Sequence, residues 1–181
     1  MISKKICLIG DFGVGKTSLI RRFIEHQFSE EYLSTIGVSI SRKSVIVSSS
    51  HEKQDPEIVQ LLIWDIEGKT KFQKISPSYL KSAQGIIIVA DFSRQDTIAN
   101  IPFHVDLVRS INPERLTLSI VVNKIDLVAE HLPTLLLQQY QIPNQFPTIP
   151  IYHTSAKTGE NVEIMFHQLA QSMMEKNNQN Y

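Results

Sequence analysis

The sequence predicts an α/β fold, built on a mostly parallel six-stranded sheet with one antiparallel strand and helices on both faces. Three observations carry that expectation. Short runs rich in Ile and Val lie at residues 5–9, 61–65, 85–91, 118–123 and 149–154, and continuous apolar runs of this length read as strands buried on both faces. Between them lie segments of helical spacing, and strands that alternate with helices pair in parallel, with the helices covering both sides of the sheet. The alternation breaks once. Residues 38–48 have a strand-like pattern, the stretch up to Pro56 is polar, and residues 57–65 are strand-like again. That pattern predicts a hairpin with a long mobile tip, which supplies the antiparallel strand.

Taken in order, the first strand at residues 5–9 runs into a glycine-rich loop and a helix patterned over residues 18–26. After the hairpin and the strand at 85–91, a helical segment spans residues 95–110. Pro102 interrupts it and is expected to kink it, because proline lacks the N–H and crowds the preceding turn. Pro133 falls near the start of a helical segment over residues 132–141, where a first turn accepts proline. Val162, Met165, Phe166, Leu169, Ala170 and Met173 fall on one face of the last helix and read as core. The residues beyond Glu175 are polar and are expected to fray. With 181 residues, 42 % of them apolar, the chain suits one domain over residues 1–176 with a short polar tail at 177–181.

The 18 basic and 18 acidic residues cancel, so no overall field draws the chain to nucleic acid or to an anionic membrane. Small basic groups at Arg21 and Arg22, Arg42 and Lys43, and Lys69, Lys71 and Lys74 read as solvated surface, with those of the last group also available to an acidic partner. Cys7 is the only cysteine; it excludes an internal disulfide and reads as a buried strand residue. The N-terminal apolar run is too short for a signal peptide or a membrane span, which fits a cytoplasmic monomer. Ile2 does not support myristoylation and the last residues lack a cysteine for a prenyl group, so no lipid anchor is expected. Six scattered histidines without ligand spacing give no zinc site, and no serine sits in a G-x-S-x-G setting.

Chemistry concentrates in the loop after the first strand. Gly10-Asp11-Phe12-Gly13-Val14-Gly15-Lys16-Thr17 fits G-x-x-x-x-G-K-[ST] at every fixed position and lies between a strand and a helix, as that motif requires. Glycines let backbone N–H groups converge on phosphate oxygens where a Cβ would block the approach. The positive end of the following helix, which starts at Ser18, adds its own field. Lys16 supplies a cation to the terminal phosphates, and the Thr17 hydroxyl is placed to ligate Mg²⁺. The loop implies a nucleoside triphosphate and leaves the base open.

Asn123-Lys124-Ile125-Asp126 follows a buried strand, so its side chains emerge at the carboxyl edge of the sheet, where ligands bind. The Asp126 carboxylate can accept from the ring N–H and the exocyclic amine of guanine, a pair that adenine lacks; an unmatched buried acceptor costs roughly 1–3 kcal/mol. Ser155-Ala156-Lys157 follows the last strand, where the Ala156 N–H is placed to donate to the guanine oxygen. Each of these short motifs is weak alone; their order along the chain gives them weight.

With these segments, Tyr32-Leu33-Ser34-Thr35-Ile36-Gly37 and Trp64-Asp65-Ile66-Glu67-Gly68, the chain resembles a small GTPase of the Ras superfamily, nearest to the Rab-like branch, over roughly residues 3–175. The resemblance implies the P-loop GTPase fold and a molecular switch that binds GTP or GDP with Mg²⁺ and hydrolyses GTP. It implies that Thr17, Thr35 and Asp65 serve the metal, Asp65 through water. It also implies that the Thr35 backbone and the Gly68 N–H contact the γ-phosphate, and that Phe28 packs across the guanine edge, although Phe28 also reads as an ordinary core residue. An effector, an exchange factor and an activating protein are expected to meet residues 32–37 and 66–74.

The second switch departs from that pattern. Where the family usually has Asp-x-Ala-Gly-Gln, this chain has Asp65-Ile66-Glu67-Gly68-Lys69. A glutamine accepts from the attacking water and donates to phosphate, whereas the Lys69 ammonium only donates. Lys69 can neutralise phosphate charge but does not position the water in the same way. Glu67 either substitutes as acceptor for the water or pairs with Lys69 at the surface, the second being favoured. Phe12 stands where many relatives have a small residue, beside the path of an activator's arginine finger; its ring either excludes that finger or points outward over apolar surface. Two functions follow, a slow GTPase or a module that holds GTP as a docking platform, and slow hydrolysis is the preferred one.

Overall fold

β-branched residues lose little on a pleated surface because their χ1 is already restricted, and the runs that carry them form one six-stranded sheet in the computed structural model. It describes residues 2–29, 34–48, 56–68, 75–112, 116–127 and 132–178, with only the backbone described at 132–134, 136 and 176–178. The strands are β1 (Ile2–Gly10), β2 (Val38–Val47), β3 (Glu57–Ile66), β4 (Gly85–Asp91), β5 (Thr117–Asn123) and β6 (Ile151–Thr154). Their order is β2-β3-β1-β4-β5-β6. Only β2 runs antiparallel to its neighbour, pairing Val38 with Ile66 and Val47 with Glu57. The expected hairpin is therefore present, and its tip lies outside the described residues.

Side chains alternate across the sheet with a period of two. Along β1, Ile6 and Leu8 enter the core under α1 (Lys16–Glu25) and α7 (Val162–Asn178), together with Phe23, Ile63, Val121, Phe166 and Leu169. Cys7 and Ile9 enter the opposite core with Leu80, Ile88, Ile98, Val105 and Phe146. Here α2 (Pro77–Leu80), α3 (Gln95–Ala99), α4 (Ile101–Ile111), α5 (Leu132–Gln139) and α6 (Ile142–Gln145) follow in the chain. The rings of Phe23 and Phe166 stack at 4.0 Å between α1 and α7, an arrangement worth about 0.5–1.5 kcal/mol beyond the area it buries. The C-terminal stripe read from the sequence is buried throughout.

Register brings the chemistry to one edge. Leu8 lies opposite Asp65, Gly10 opposite Val89, Asp91 opposite Asn123, and Asn123 opposite Thr154. The carboxyl ends of five parallel strands thus open onto a single crevice, and β1 sits where the chain turns outward to β3 on one side and β4 on the other, the switch point where open α/β sheets bind ligands.

The sequence expectation fails in detail at three places. Pro102 does not kink one helix: α3 ends at Ala99, and Pro102 lies in the first turn of a separate α4, where its missing N–H has no intrahelical partner to lose. β6 begins at Ile151 and not at residue 149, after Pro150, which has no N–H to offer a ladder. Helix α7 continues through Asn178, beyond the expected fraying point at Glu175. Among the described residues no helix is long and apolar enough to cross a membrane.

Candidate functional site: a phosphate loop and a base pocket in one cavity

Residues 10–15 leave β1 and arch over the start of α1. Every carbonyl in that arch is taken. The Lys16 ammonium donates to the carbonyls of Gly10 (3.2 Å) and Asp11 (3.0 Å), Arg94 Nη2 to Phe12 (2.6 Å), Lys124 Nζ to Gly13 (2.9 Å), Asn123 Nδ2 to Val14 (3.1 Å) and the Leu19 N–H to Gly15 (2.9 Å). Turning the carbonyls toward these donors aims the opposite edge of the peptide units, the N–H edge, into the crevice. The N–H groups of Gly15, Lys16, Thr17 and Ser18, at the first turn of α1, have no intrahelical acceptor and extend the same surface. Gly15 has φ +99°, and a Cβ there would stand 2.3 Å from Asn123 Nδ2, so both its conformation and its space demand glycine.

Lys16 is buried among these groups. Burial pushes its pKa down to about 8, against the opposing charges of Asp65 and Asp11. A buried cation held only by carbonyl dipoles and distant carboxylates is a receptor for an anion.

The loop is fixed from three sides, two of them by groups that carry no sequence signature. The Asp91 carboxylate, 2 % exposed, accepts from Lys124 Nζ (2.7 Å), from Arg94 Nε (3.2 Å), and from the N–H and hydroxyl of Ser93. Burial alone would raise its pKa, but the hydrogen bonds of Lys124 and Ser93 hold it below the ordinary carboxylate value. Asp91 thereby aligns the two cations that hold the Phe12 and Gly13 carbonyls. On another side, Asp11 accepts from Asn100 Nδ2 (2.7 Å) and contacts Nε2 of the buried His104 (3.2 Å), tying the loop to α4. Gly68 closes the third side; a Cβ on it would lie 2.5 Å from Phe12 Cα.

A cavity of about 340 Å³ runs from this loop to the base-reading segment. Phe12, Gly13, Gly15, Lys16, Thr17, Ser18, Phe28, Thr35, Gly68, Asn123, Lys124, Asp126, Ala156 and Lys157 all line it, so nearly every residue named from the sequence is brought together. Ser29 and Leu127, not singled out from the sequence, also line it, and so does Arg21, which the sequence reads as solvated surface. Val14, Ser155 and Asp65 do not. Val14 turns its side chain into the core, and Ser155 works from behind, its hydroxyl donating to Asp126 Oδ1 at 2.6 Å and so orienting that carboxylate. Phe28 both lines the cavity and packs against the core, so its two readings are compatible. Tyr32 and Leu33 of the first expected partner segment, and residues 69–74 of the second with Lys69, Lys71 and Lys74, lie outside the described residues.

One donor is engaged differently from the expectation. The Ala156 N–H, read from the sequence as donating to a base oxygen, donates to Asn123 Oδ1 at 3.1 Å. Asn123 is 1 % exposed, and a buried amide oxygen must find donors; this one takes Ala156 N–H and the Thr154 hydroxyl (3.2 Å). Behind the same segment, Arg22 of α1 donates to the carbonyls of Ala156 (2.8 Å) and Lys157 (2.5 Å).

At the phosphate end three oxygens converge. Thr17 Oγ1 lies 2.8 Å from Thr35 Oγ1 and 2.5 Å from Asp65 Oδ2, and Thr35 Oγ1 lies 3.3 Å from the same carboxylate oxygen. Asp65 Oδ1 is buried without a hydrogen-bond partner. Burial raises the Asp65 pKa, opposed by the Thr17 hydroxyl and the Lys16 charge. Two hydroxyls and a buried carboxylate with an unsatisfied oxygen form a hard-oxygen donor set that suits Mg²⁺.

Glu67 has a partner that the sequence did not suggest. Its Oε2 accepts from the Gly37 N–H at 2.8 Å, and its own N–H donates to the Gly37 carbonyl at 2.8 Å. Phe12 is 41 % exposed at the cavity wall.

The sequence that builds this site has counterparts in known proteins. The family model described as Ras family matches residues 5–175. The chain belongs to the Ras family. Within it the chain is a Rab-like small GTPase: it is 33 % identical over 175 residues to GTP-binding protein ypt1 of Schizosaccharomyces pombe, covering 95 % of this chain and 80 % of that one. It is 35 % identical over 169 residues to Ras-related protein Rab-1D of Dictyostelium discoideum (93 % and 78 % covered) and 31 % identical over 176 residues to Ras-related protein Rab7 of Drosophila melanogaster (94 % and 80 %). For this Ras-family chain the six-stranded, mostly parallel sheet is the P-loop GTPase fold expected from the sequence.

Proposed function

We propose that this chain is a guanine-nucleotide switch that binds GDP and GTP with Mg²⁺ in the cavity and hydrolyses GTP to GDP and phosphate slowly. The observation that carries the reading is the convergence, in one cavity, of the phosphate loop with Lys16, the Thr17 and Thr35 hydroxyls and the Asn123 and Asp126 side chains, with the Asp65 carboxylate bonded to both threonines. Loop N–H groups and the Lys16 ammonium hold the phosphates, and Lys16 gains its full charge when phosphate oxyanions approach. Asp126, oriented by Ser155, reads the ring N–H and amine of guanine. A base oxygen at the Ala156 N–H shares that donor with Asn123 Oδ1, which keeps the Thr154 hydroxyl. Thr17 and Thr35 would hold Mg²⁺ with Asp65 behind them, and the ion would supply positive charge that offsets the phosphate charge. The Gly68 N–H and the Thr35 backbone take the γ-phosphate and couple both switch segments to it.

Slow hydrolysis follows from Lys69, whose ammonium has no acceptor for the attacking water. A second reading, a module that holds GTP and presents its switch surface to a partner, is favoured by one observation. The Glu67 carboxylate, an alternative acceptor for water, is engaged by Gly37. Single-turnover hydrolysis of bound GTP, with and without cell extract, separates the two. Phosphate released over hours supports the enzyme, and intact GTP over the same time in both conditions supports the module.

A further inference from the structure

Gly37 and Glu67 meet through a reciprocal pair of bonds, one of which ends on a side chain. The main-chain half, Glu67 N–H to Gly37 carbonyl, continues the β2–β3 ladder one residue beyond the Val38–Ile66 pair. The other half is the Glu67 carboxylate accepting the Gly37 N–H at 2.8 Å, a charge-assisted bond of the stronger kind. Gly37 adopts φ +72° with open space where a Cβ would stand. Its left-handed turn lets the N–H face Glu67 while the chain bends toward Thr35, two residues upstream. Thr35 Oγ1 in turn sits 2.8 Å from Thr17 Oγ1 and 3.3 Å from Asp65 Oδ2.

We infer that Glu67 is a positioning residue that clasps residues 35–37 to the end of β3 and so holds Thr35 at the metal oxygens through bonds made wholly of protein atoms. The proposal rests on the switch reading above and adds to it. Where the γ-phosphate alone gathers the two segments, its loss frees them; here a clasp that needs no phosphate oxygen retains them. An alanine, the residue that the family pattern places at this position, has no acceptor for the Gly37 N–H. The nucleotide-dependent difference in the first switch is therefore smaller in this chain than in a Glu67→Ala variant.

The test is hydrogen–deuterium exchange on overlapping peptides covering residues 34–40, in the full chain, loaded with GDP·Mg²⁺ or with a non-hydrolysable GTP analogue. It compares wild type, Glu67→Ala and Glu67→Gln, with the bound nucleotide quantified in every sample. Wild type is expected to exchange at similar rates in both states. Loss of a charge-assisted bond should speed exchange in the GDP form of Glu67→Ala about tenfold or more, with a smaller change in the analogue form. Glu67→Gln, which keeps an oxygen acceptor, should retain most of the protection, which a general loss of packing would not. Equal exchange in wild type and Glu67→Ala, or a wild-type GDP form already as open as the alanine variant, overturns the clasp. Absence of bound guanine nucleotide overturns the switch reading instead, and the comparison of wild type with Glu67→Ala still decides the clasp.

Discussion

Asn123→Ala is the substitution with the most informative expected outcome. The Asn123 side chain joins three segments that are far apart in sequence: its amide donates to the Val14 carbonyl at 3.1 Å, and its oxygen accepts from Ala156 N–H at 3.1 Å and from Thr154 Oγ1 at 3.2 Å. It is 1 % exposed, so water does not replace these bonds. Three bonds at about 1 kcal/mol each, with buried partners left unsatisfied, give a loss of about 3 kcal/mol or somewhat more. Because the bonds link the phosphate loop to the base segment, the loss should appear in stability and in nucleotide retention together. If all of it appears in release, the dissociation rate of a fluorescent GDP analogue rises about a hundredfold. Asn123→Asp separates the parts: it keeps both acceptor functions but sets a carboxylate oxygen against the Val14 carbonyl, so it damages the loop contact selectively. Stopped-flow displacement and urea unfolding measure both variants. Release within threefold of wild type, with an unchanged urea midpoint for Asn123→Ala, would refute the claim that this amide holds the two halves of the site together.

Three other outcomes follow from the same structure. Lys16 has a pKa near 8 because it is buried, and phosphate oxyanions favour its charged form, so GDP binding at pH 8 should take up about half a proton and at pH 6.5 almost none; calorimetry in buffers of different ionisation enthalpy reads this directly. Asp91→Asn removes the carboxylate that aligns Lys124 and Arg94, and since those two cations are partly exposed and keep some hydration, the expected cost is about 1–2 kcal/mol. Asp91 has a lowered folded pKa, so its contribution is present above the unfolded carboxyl value and is lost as pH falls through the folded one; the variant's deficit in urea midpoint should shrink under acid. The Cys7 thiol, buried and pushed up to about 12, should resist alkylation in the folded chain and react on unfolding, as mass spectrometry of a urea series would show.

The strands were legible because burial on both faces leaves a continuous Ile and Val signature, and the last helix because Phe166 and Leu169 recur at helical spacing. The ends were harder. β1 extends back to Ile2 through Ser3 and Lys4, two polar residues that break the apolar run, and α2 and α6 span four residues each, too few to show a period. Pro102 signalled an interruption, but whether proline bends a helix or opens a new one depends on packing around Asn100. In the site, fixed motif letters placed Lys16, Thr17, Asn123 and Asp126 on one cavity wall. The groups that hold them escaped. Arg94 meets the Phe12 carbonyl across 82 positions, Asp91 meets Lys124 across 33 and Glu67 meets Gly37 across 30. Such pairs are set by strand order and register, and leave no spacing to read.

The most direct test is a competition experiment on protein stripped of bound nucleotide, in Mg²⁺ buffer, with GDP, GTP, ADP and ATP each displacing a fluorescent guanine nucleotide. A carboxylate at Asp126 that reads two donors of the base should favour guanine by about a hundredfold or more. Equal displacement by adenine and guanine nucleotides would contradict the account.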